Sequence, residues 1–205
     1  MSAPRVAVLD YGSGNIHSAV RALERTGASV VLTADPAEIE AADGLVVPGV
    51  GAFASVMEGL AAVDGVELLR DRHARGRPTL GICVGLQVLF AAGSEHGVRT
   101  EGAALWPGEV TRLDSPVVPH MGWSRVRAAP GSSLFVGLDD EYFYFVHSYA
   151  APAGPPGALT STAVHGGPFA AAVEDGATSA TQFHPEKSGD AGAALLANWI
   201  RTLHT

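Results

Sequence analysis

The one cysteine of the chain lies in a segment whose residue types fit a reactive thiol. Cys83 stands between two glycines in Gly81-Ile82-Cys83-Val84-Gly85. Glycine at both flanking positions permits the strained turn of a nucleophile elbow, which exposes a reactive side chain. A sulfur at the start of a helix lies near unpaired N–H groups, which favour the thiolate. The alternative is that Cys83 is a small buried hydrophobic side chain, as free cysteines often are.

A cysteine nucleophile needs a base, and the segment Gln182-Phe183-His184-Pro185-Glu186-Lys187-Ser188 offers one. This segment follows a predicted strand, so His184 should emerge at an edge of a sheet. Glu186 lies two residues further on, across a proline. Its carboxylate can accept a hydrogen bond from one ring nitrogen and leave the other nitrogen facing the thiol. The alternative is an exposed polar pair in a loop, because a His-x-Glu pattern alone is not specific.

Backbone N–H groups for an oxyanion hole are available in two glycine-rich segments. Acyl transfer through a thioester builds negative charge on a carbonyl oxygen, and two N–H groups can stabilise it. Val84 directly follows the cysteine and could supply one of them. Val50, in Pro48-Gly49-Val50-Gly51, could supply the other, since a glycine-rich loop lets a peptide rotate inwards. The alternative is an ordinary turn between a strand and a helix.

The first half of the chain alternates between strand and helix patterns. Such units form a parallel sheet with helices on both faces, and ligands gather at the carboxyl ends of its strands. Glycine-rich loops at 11–15, 48–51 and 81–85 should meet at that edge. Strands are predicted at 5–10, 29–33, 45–47 and 79–82, and helices at 16–26, after 35–36, over 53–74 with a break near 64–65, and over the apolar run 86–90.

The second half has a different pattern, with short strands joined by turns rich in Gly and Pro. The linker-like segment 151–157 is expected to be a surface loop between two strands. We find no repeat and no domain boundary, so residues 1–205 are predicted to form one domain. Strands are predicted at 110–113, 142–146, 159–164, 169–173 and 178–182, and a final helix at 191–203.

Other residue clusters give weaker signals. His120 and His147 lie in apolar or aromatic segments, where they could line a site or be core histidines. No pair of histidines has the spacing of a metal site, so no metal is expected. Gly12-Ser13-Gly14-Asn15 lacks the third glycine of a dinucleotide fingerprint and the lysine of a P-loop, so nucleotide binding there is not expected.

Composition limits the partners and the compartment. A net charge of -8, without a dense Lys/Arg cluster, argues against nucleic-acid binding. A single cysteine cannot form an internal disulfide, so nothing requires an oxidising compartment. We see no secretory signal pattern and no apolar run near the roughly 20 residues that span a bilayer. The sequence therefore predicts a cytoplasmic protein that does not bind membranes.

Cys83, His184 and Glu186, with the elbow and Phe183-His184-Pro185-Glu186, resemble the class I glutamine amidotransferases. Further segments look like the glutaminase subunits of imidazole glycerol phosphate synthases: 10–15, 48–53, 119–123, 144–149 and 182–188. The resemblance thus covers nearly the whole chain. It implies an α/β fold of the class I glutamine amidotransferase type, flavodoxin-like, with a mixed, mostly parallel sheet and helices on both faces.

The resemblance also implies an activity. Such a subunit hydrolyses L-glutamine to L-glutamate and ammonia through a cysteinyl thioester, with no cofactor. The ammonia passes to a cyclase subunit, a (β/α)₈ barrel in the same heterodimer. That subunit makes imidazole glycerol phosphate and an aminoimidazole carboxamide ribonucleotide in histidine biosynthesis.

Roles follow from matching positions in the family pattern. Cys83 would attack the amide, His184 would transfer the proton and Glu186 would orient His184. Position 124 is Ser where the pattern has Asn. Residues at glutamine-binding positions are Gly51, Gln87, Ser148 and Tyr149, and residues at the cyclase interface and ammonia passage are Trp123, Tyr144 and Lys187.

Three other classes compete with this interpretation. Another glutaminase could feed anthranilate, carbamoyl phosphate or pyridoxal phosphate synthesis, but the segments 120–123 and 144–149 argue against it. A hydrolase or chaperone of the intracellular peptidase group commonly has His directly after the cysteine, where this chain has Val84. A binding module without catalysis would not need Cys83, His184 and Glu186 together.

Overall fold

A computed structural model of the chain describes residues 3–12, 14 and 16–203. Ser13 and Asn15 lie outside the described residues, so the expectation that their loop binds no nucleotide stays a prediction. Among the helices of the described part, none is long and apolar enough to cross a membrane.

The described elements alternate between strand and helix in the first half and are mostly strands in the second. The helices are α1 (Ile16–Glu24), α2 (Pro36–Glu40), α3 (Phe53–Ala62), α4 (Gly65–Ala74), α5 (Val84–Gln87) and α6 (Gly189–Thr202), with a 3-10 helix at Pro185–Lys187. The strands are β1 (Arg5–Leu9), β2 (Ser29–Thr33), β3 (Gly44–Gly49), β4 (Thr79–Cys83), β5 (Phe90–Glu95), β6 (Val98–Glu101), β7 (Trp106–Arg112), β8 (His120–Arg125), β9 (Tyr142–His147), β10 (Tyr149–Ala150), β11 (Leu159–His165), β12 (Gly167–Asp175) and β13 (Thr178–Thr181).

A seven-stranded sheet in the order β11-β12-β13-β4-β3-β1-β2 forms the centre of the fold. The run from β13 to β2 is parallel, whereas β11 and β12 are antiparallel, which confirms the predicted mixed, mostly parallel sheet. Every residue of β3 and β4 is buried. Strands covered on both faces read as continuous apolar runs, and this is why they could be predicted.

Two smaller sheets hold the remaining strands. One is four-stranded, in the order β10-β7-β5-β6, and the other pairs β8 with β9. Of these strands, β5, β6, β8 and β10 were not predicted. The predicted helix over 86–90 is wrong, because α5 ends at Gln87 and Phe90 already starts β5. A short run of consecutive apolar residues is compatible with either a helix or a strand. Here the pairing between β5 and β7 makes it a strand from Phe90 onwards.

Glycines allow β3, β4 and α5 to pack backbone against backbone. A Cβ added at Gly85 would lie 2.0 Å from the carbonyl oxygen of Val47. A Cβ at Gly81 would lie 2.5 Å from the carbonyl oxygen of Gly85, and one at Gly49 would lie 2.4 Å from the nitrogen of Gly85. The glycines that flank Cys83 are therefore required by close contacts, whereas the positive φ of the turn lies at Cys83 itself.

Replacing Gly85 should destabilise the protein. We expect Gly85→Ala to lower the free energy of unfolding by about 3 kcal/mol or more, because backbone atoms cannot move aside for the methyl group. Gly167→Ala is the control, since a Cβ there meets nothing within 4 Å. Denaturant unfolding measures both changes. Equal stability of the two variants would contradict the proposed close packing.

Candidate active site

Cys83 lies where β4 ends and α5 begins, with φ 57° and ψ -113°. A non-glycine residue in such a region costs about 1–3 kcal/mol and is characteristic of functional sites. The residue is only 3% exposed, which a packing cysteine would also show. The strained backbone favours the predicted nucleophile elbow, because burial of a small side chain alone would not require that conformation.

His184 and Glu186 form a buried pair. Nδ1 of His184 lies 2.7 Å from Oε1 of Glu186, and the two side chains are 3% and 4% exposed. The 3-10 helix at Pro185–Lys187 turns the chain so that the carboxylate comes back to the ring. The alternative of an exposed polar pair is therefore wrong.

The backbone around His184 is fixed from both sides. The N–H of His184 donates to the carbonyl oxygen of Tyr144 at 2.9 Å, which attaches this loop to β9. The hydroxyl of Ser188 donates to the carbonyl oxygen of His184 at 2.6 Å and accepts from the N–H of Tyr144 at 2.9 Å. The backbone that carries the imidazole is thus held in place by contacts independent of Glu186.

The imidazole of His184 is charged at neutral pH. Burial alone would lower its pKa, but hydrogen bonds to Cys83 and Glu186, with the charges of both groups, outweigh burial and raise the pKa to about 9. The ring therefore contacts both the thiol and the carboxylate. A protonated imidazole beside the sulfur can supply a proton to a leaving group.

A cavity of about 290 Å³ opens above these groups. It is lined by Cys83 and His184, and by every residue assigned from the sequence to the oxyanion hole or to glutamine binding. Those residues are Val50, Val84, Gly51, Gln87, Ser148 and Tyr149. Lys187 also lines it, whereas Trp123 and Tyr144 do not. Most of the residues singled out from the sequence thus meet at one place.

Trp123 and Tyr144 lie on the hairpin of β8 and β9. Their rings meet edge to face, with centroids 5.9 Å apart. Trp123 is 54% exposed, and Met121 on the same strand is 63% exposed. These side chains form an apolar patch on the surface of the hairpin, which we call the β8–β9 patch.

The sequence did not indicate two polar residues of the site. Glu95, at the end of β5, lines the cavity, and its Oε2 accepts a hydrogen bond from the N–H of Phe53 at 3.1 Å. Gln182 is fully buried, and its Nε2 lies 3.7 Å from the Sγ of Cys83. Glu95 could have been found only with β5 assigned, whereas Gln182 is the first residue of the segment that contains His184.

His120 and His147 are both buried, and only His147 lines the cavity. Burial lowers the pKa of His120 to about 4 and that of His147 to about 3, so both rings are neutral near pH 7. Within the described residues, no group of three or more His, Cys, Asp or Glu side chains could hold a metal ion.

The chain was compared with known proteins. Residues 7–203 match the family profile described as Glutamine amidotransferase class-I. The imidazole glycerol phosphate synthase subunit HisH of Mycobacterium tuberculosis is 61% identical over 203 residues, which cover 98% of each chain. The same subunit of Nocardia farcinica is 60% identical over 211 residues, covering 99% of this chain and 100% of that protein.

A crystal structure of a glutamine amidotransferase, at 20% identity, matches the fold with a TM-score of 0.76 over 97% of both chains. The sequence matches cover nearly the full length and favour one branch over the other glutaminases and the peptidase group. The chain therefore belongs to the class-I glutamine amidotransferase family and, within it, to the HisH subunits of imidazole glycerol phosphate synthase.

Proposed function

We propose that this chain, residues 1–205 as one domain, is the glutaminase subunit of an imidazole glycerol phosphate synthase, with Cys83 as its nucleophile. It hydrolyses L-glutamine to L-glutamate and ammonia. The observation that carries this proposal is the buried His184–Glu186 pair beside a strained Cys83 on the wall of one cavity.

Acylation begins when the sulfur of Cys83, deprotonated with its proton held on His184, attacks the side-chain carbonyl carbon of glutamine. The carbonyl oxygen becomes negative and is stabilised by the N–H groups of Val84 and Val50. The carbon–nitrogen bond then breaks, and the protonated His184 gives its proton to the departing ammonia. The products of this step are free ammonia and a γ-glutamyl thioester on Cys83.

Deacylation uses the same groups in the opposite sense. His184, now neutral, accepts a proton from a water molecule that attacks the thioester carbon. The carbon–sulfur bond breaks, glutamate leaves and the sulfur keeps its electron pair. Glu186 holds the ring in one orientation throughout and stabilises its charged form.

Glutamine recognition needs groups complementary to its α-ammonium and α-carboxylate. We assign the α-ammonium to Glu95, the acidic side chain in the lining of the cavity. Residues matching glutamine-binding positions of the family complete the pocket: Gly51, Gln87, Ser148 and Tyr149.

The partner is the cyclase subunit, a (β/α)₈ barrel that binds the β8–β9 patch. Exposed apolar surface of this kind marks protein–protein contacts. Trp123 and Tyr144 lie on this patch, and Lys187 lies at the cavity that holds Cys83. Ammonia released in the cavity would then leave towards the barrel, in a cytoplasmic heterodimer.

Cys83→Ala should remove glutaminase activity. Without the sulfur no thioester forms, so we expect glutamine turnover with the cyclase subunit to fall by at least about a thousandfold. Ammonia release measures turnover, and an unchanged thermal unfolding curve shows that the variant is folded. A pure, folded variant with full turnover would refute the proposed nucleophile.

Glu186→Gln should change how stability depends on pH. The pKa of His184 is raised from 6.5 to about 9, so protonation contributes stability below pH 6.5 that is lost as the pH rises through about 9. We expect the variant to be less stable than the wild type by about 2 kcal/mol near pH 6 and by much less near pH 10. Urea unfolding at both pH values measures this, and a deficit that does not vary with pH contradicts it.

Trp123→Ala should weaken binding of the cyclase subunit. Removing a large exposed ring from the centre of an interface typically raises Kd by about tenfold or more. Val98→Ala is the control, because Val98 is also strongly exposed, at 64%, but lies on β6. Calorimetric titration with the purified cyclase subunit gives both Kd values. Equal Kd values for the two variants would show that the β8–β9 patch is not the interface.

A further inference from the structure

The amide of Gln182 contacts the sulfur of Cys83 from a position that the mechanism above does not use. Its Nε2 lies 3.7 Å from the Sγ of Cys83, and the side chain is fully buried. An N–H that points at a sulfur stabilises negative charge on it, whereas an amide oxygen there would oppose that charge. The orientation of this amide therefore matters for the nucleophile.

The orientation of the Gln182 amide follows from the carbonyl oxygen of Tyr149. This oxygen can only accept, so Gln87 must present its nitrogen, which lies 2.8 Å away. The same Nε2 of Gln87 donates to Oε1 of Gln182 at 3.0 Å. Since the oxygen of the Gln182 amide accepts from Gln87, its nitrogen must face Cys83.

A second line of hydrogen bonds meets the same carbonyl oxygen. Nδ1 of His147 lies 2.9 Å from it and must donate, which leaves Nε2 of this neutral ring as an acceptor. That nitrogen accepts from Nδ1 of His120 at 3.0 Å. Nε2 of His120 in turn accepts from the hydroxyl of Ser124 at 2.8 Å. Each link has one possible direction, because the two rings are neutral near pH 7.

We propose that Gln182 is a positioning residue for the nucleophile, whose N–H directs and stabilises the sulfur of Cys83. Two lines of hydrogen bonds meet at the Tyr149 carbonyl: the first sets the orientation of the amide, and the second holds the carbonyl in place. One runs through Gln87, and the other runs through His147 and His120 to Ser124 on β8. This inference rests on the proposed role of Cys83.

The two lines also connect the nucleophile with the surface of the hairpin. Ser124 is half-buried and follows Trp123, the exposed ring of the β8–β9 patch. The family pattern has Asn at this position, and the serine hydroxyl of this chain still supplies the donor that His120 requires.

Alkylation of the sulfur tests the inference, because Cys83 is the one cysteine of the chain. The rate of reaction of the free chain with iodoacetamide is measured against pH for the wild type, Gln182→Met and Gln182→Glu. Gln182→Met has a similar length and no donor. Gln182→Glu still accepts from Gln87, and as a carboxylate it replaces the donor towards Cys83 by an acceptor with a negative charge.

We expect the midpoint of the alkylation profile to move to higher pH by about one unit in Gln182→Met, and by more in Gln182→Glu. At pH values below both midpoints the rate falls by about tenfold accordingly. The ionisable groups that face Cys83 across the cavity stay unchanged in both variants; they are His184, His147, Glu95, Lys187 and Tyr149. A wild-type profile in a folded Gln182→Glu protein would overturn the inference.

Variants of His147 test the line of hydrogen bonds that runs from the Tyr149 carbonyl through His147. His147→Phe removes the donor to Tyr149, whereas His147→Asn can keep a side-chain N–H near the position of Nδ1. We expect the profile to move to higher pH in His147→Phe and to return towards the wild type in His147→Asn. Equal profiles for His147→Phe and the wild type would overturn the role of this line.

Glutamine turnover measured in parallel separates this inference from the proposed function. Turnover by Cys83→Ala would refute the function whatever the alkylation profiles show. Suppose that the Cys83→Ala variant is inactive and that the Gln182 variants have the same alkylation profiles as the wild type. This result would refute only the positioning role of Gln182.

Discussion

The close approach of Gly85 to the carbonyl of Val47 is the contact on which the site depends. It brings the first turn of α5 against the end of β3, next to the positive φ at Cys83. The sulfur is thereby placed at the carboxyl edge of the parallel sheet, beside the loop that ends at Gly51. β13 pairs with β4 on the other side, so the segment after it delivers His184 to the same edge.

Burial then sets the electrostatics of the site. A histidine in this environment would lose its charge if it were alone, yet the sulfur of Cys83 and the carboxylate of Glu186 raise its pKa and keep His184 protonated. His120 and His147 lie nearby without an acidic partner, and burial keeps them neutral. One region thus holds a charged imidazole suited to proton donation and two neutral ones suited to directional hydrogen bonds. Their neighbours, rather than their residue type, make this difference.

The predictable part of the molecule is the part encoded over short stretches of chain. The elbow around Cys83 and the pair of His184 and Glu186 are each contained within a few residues, so residue type and spacing indicated them. Glu95 and the strands β5 and β6 were missed, because their positions depend on pairing between segments that no local pattern specifies. The assignment of Gln87 and Tyr149 to glutamine binding followed from family resemblance. The hydrogen bonds that join them to Gln182 could be seen only in the three-dimensional structure.

We propose that the sulfur of Cys83 carries the glutamyl group during turnover. A glutamine analogue with an electrophilic ketone in place of the amide tests it directly. Mass spectrometry of peptides measures how much Cys83 is labelled, and ammonia release with the cyclase subunit measures the remaining activity. We expect activity to fall in proportion to labelled Cys83 and to reach zero at full labelling. Glutamine hydrolysis by a protein fully labelled at Cys83 would contradict it.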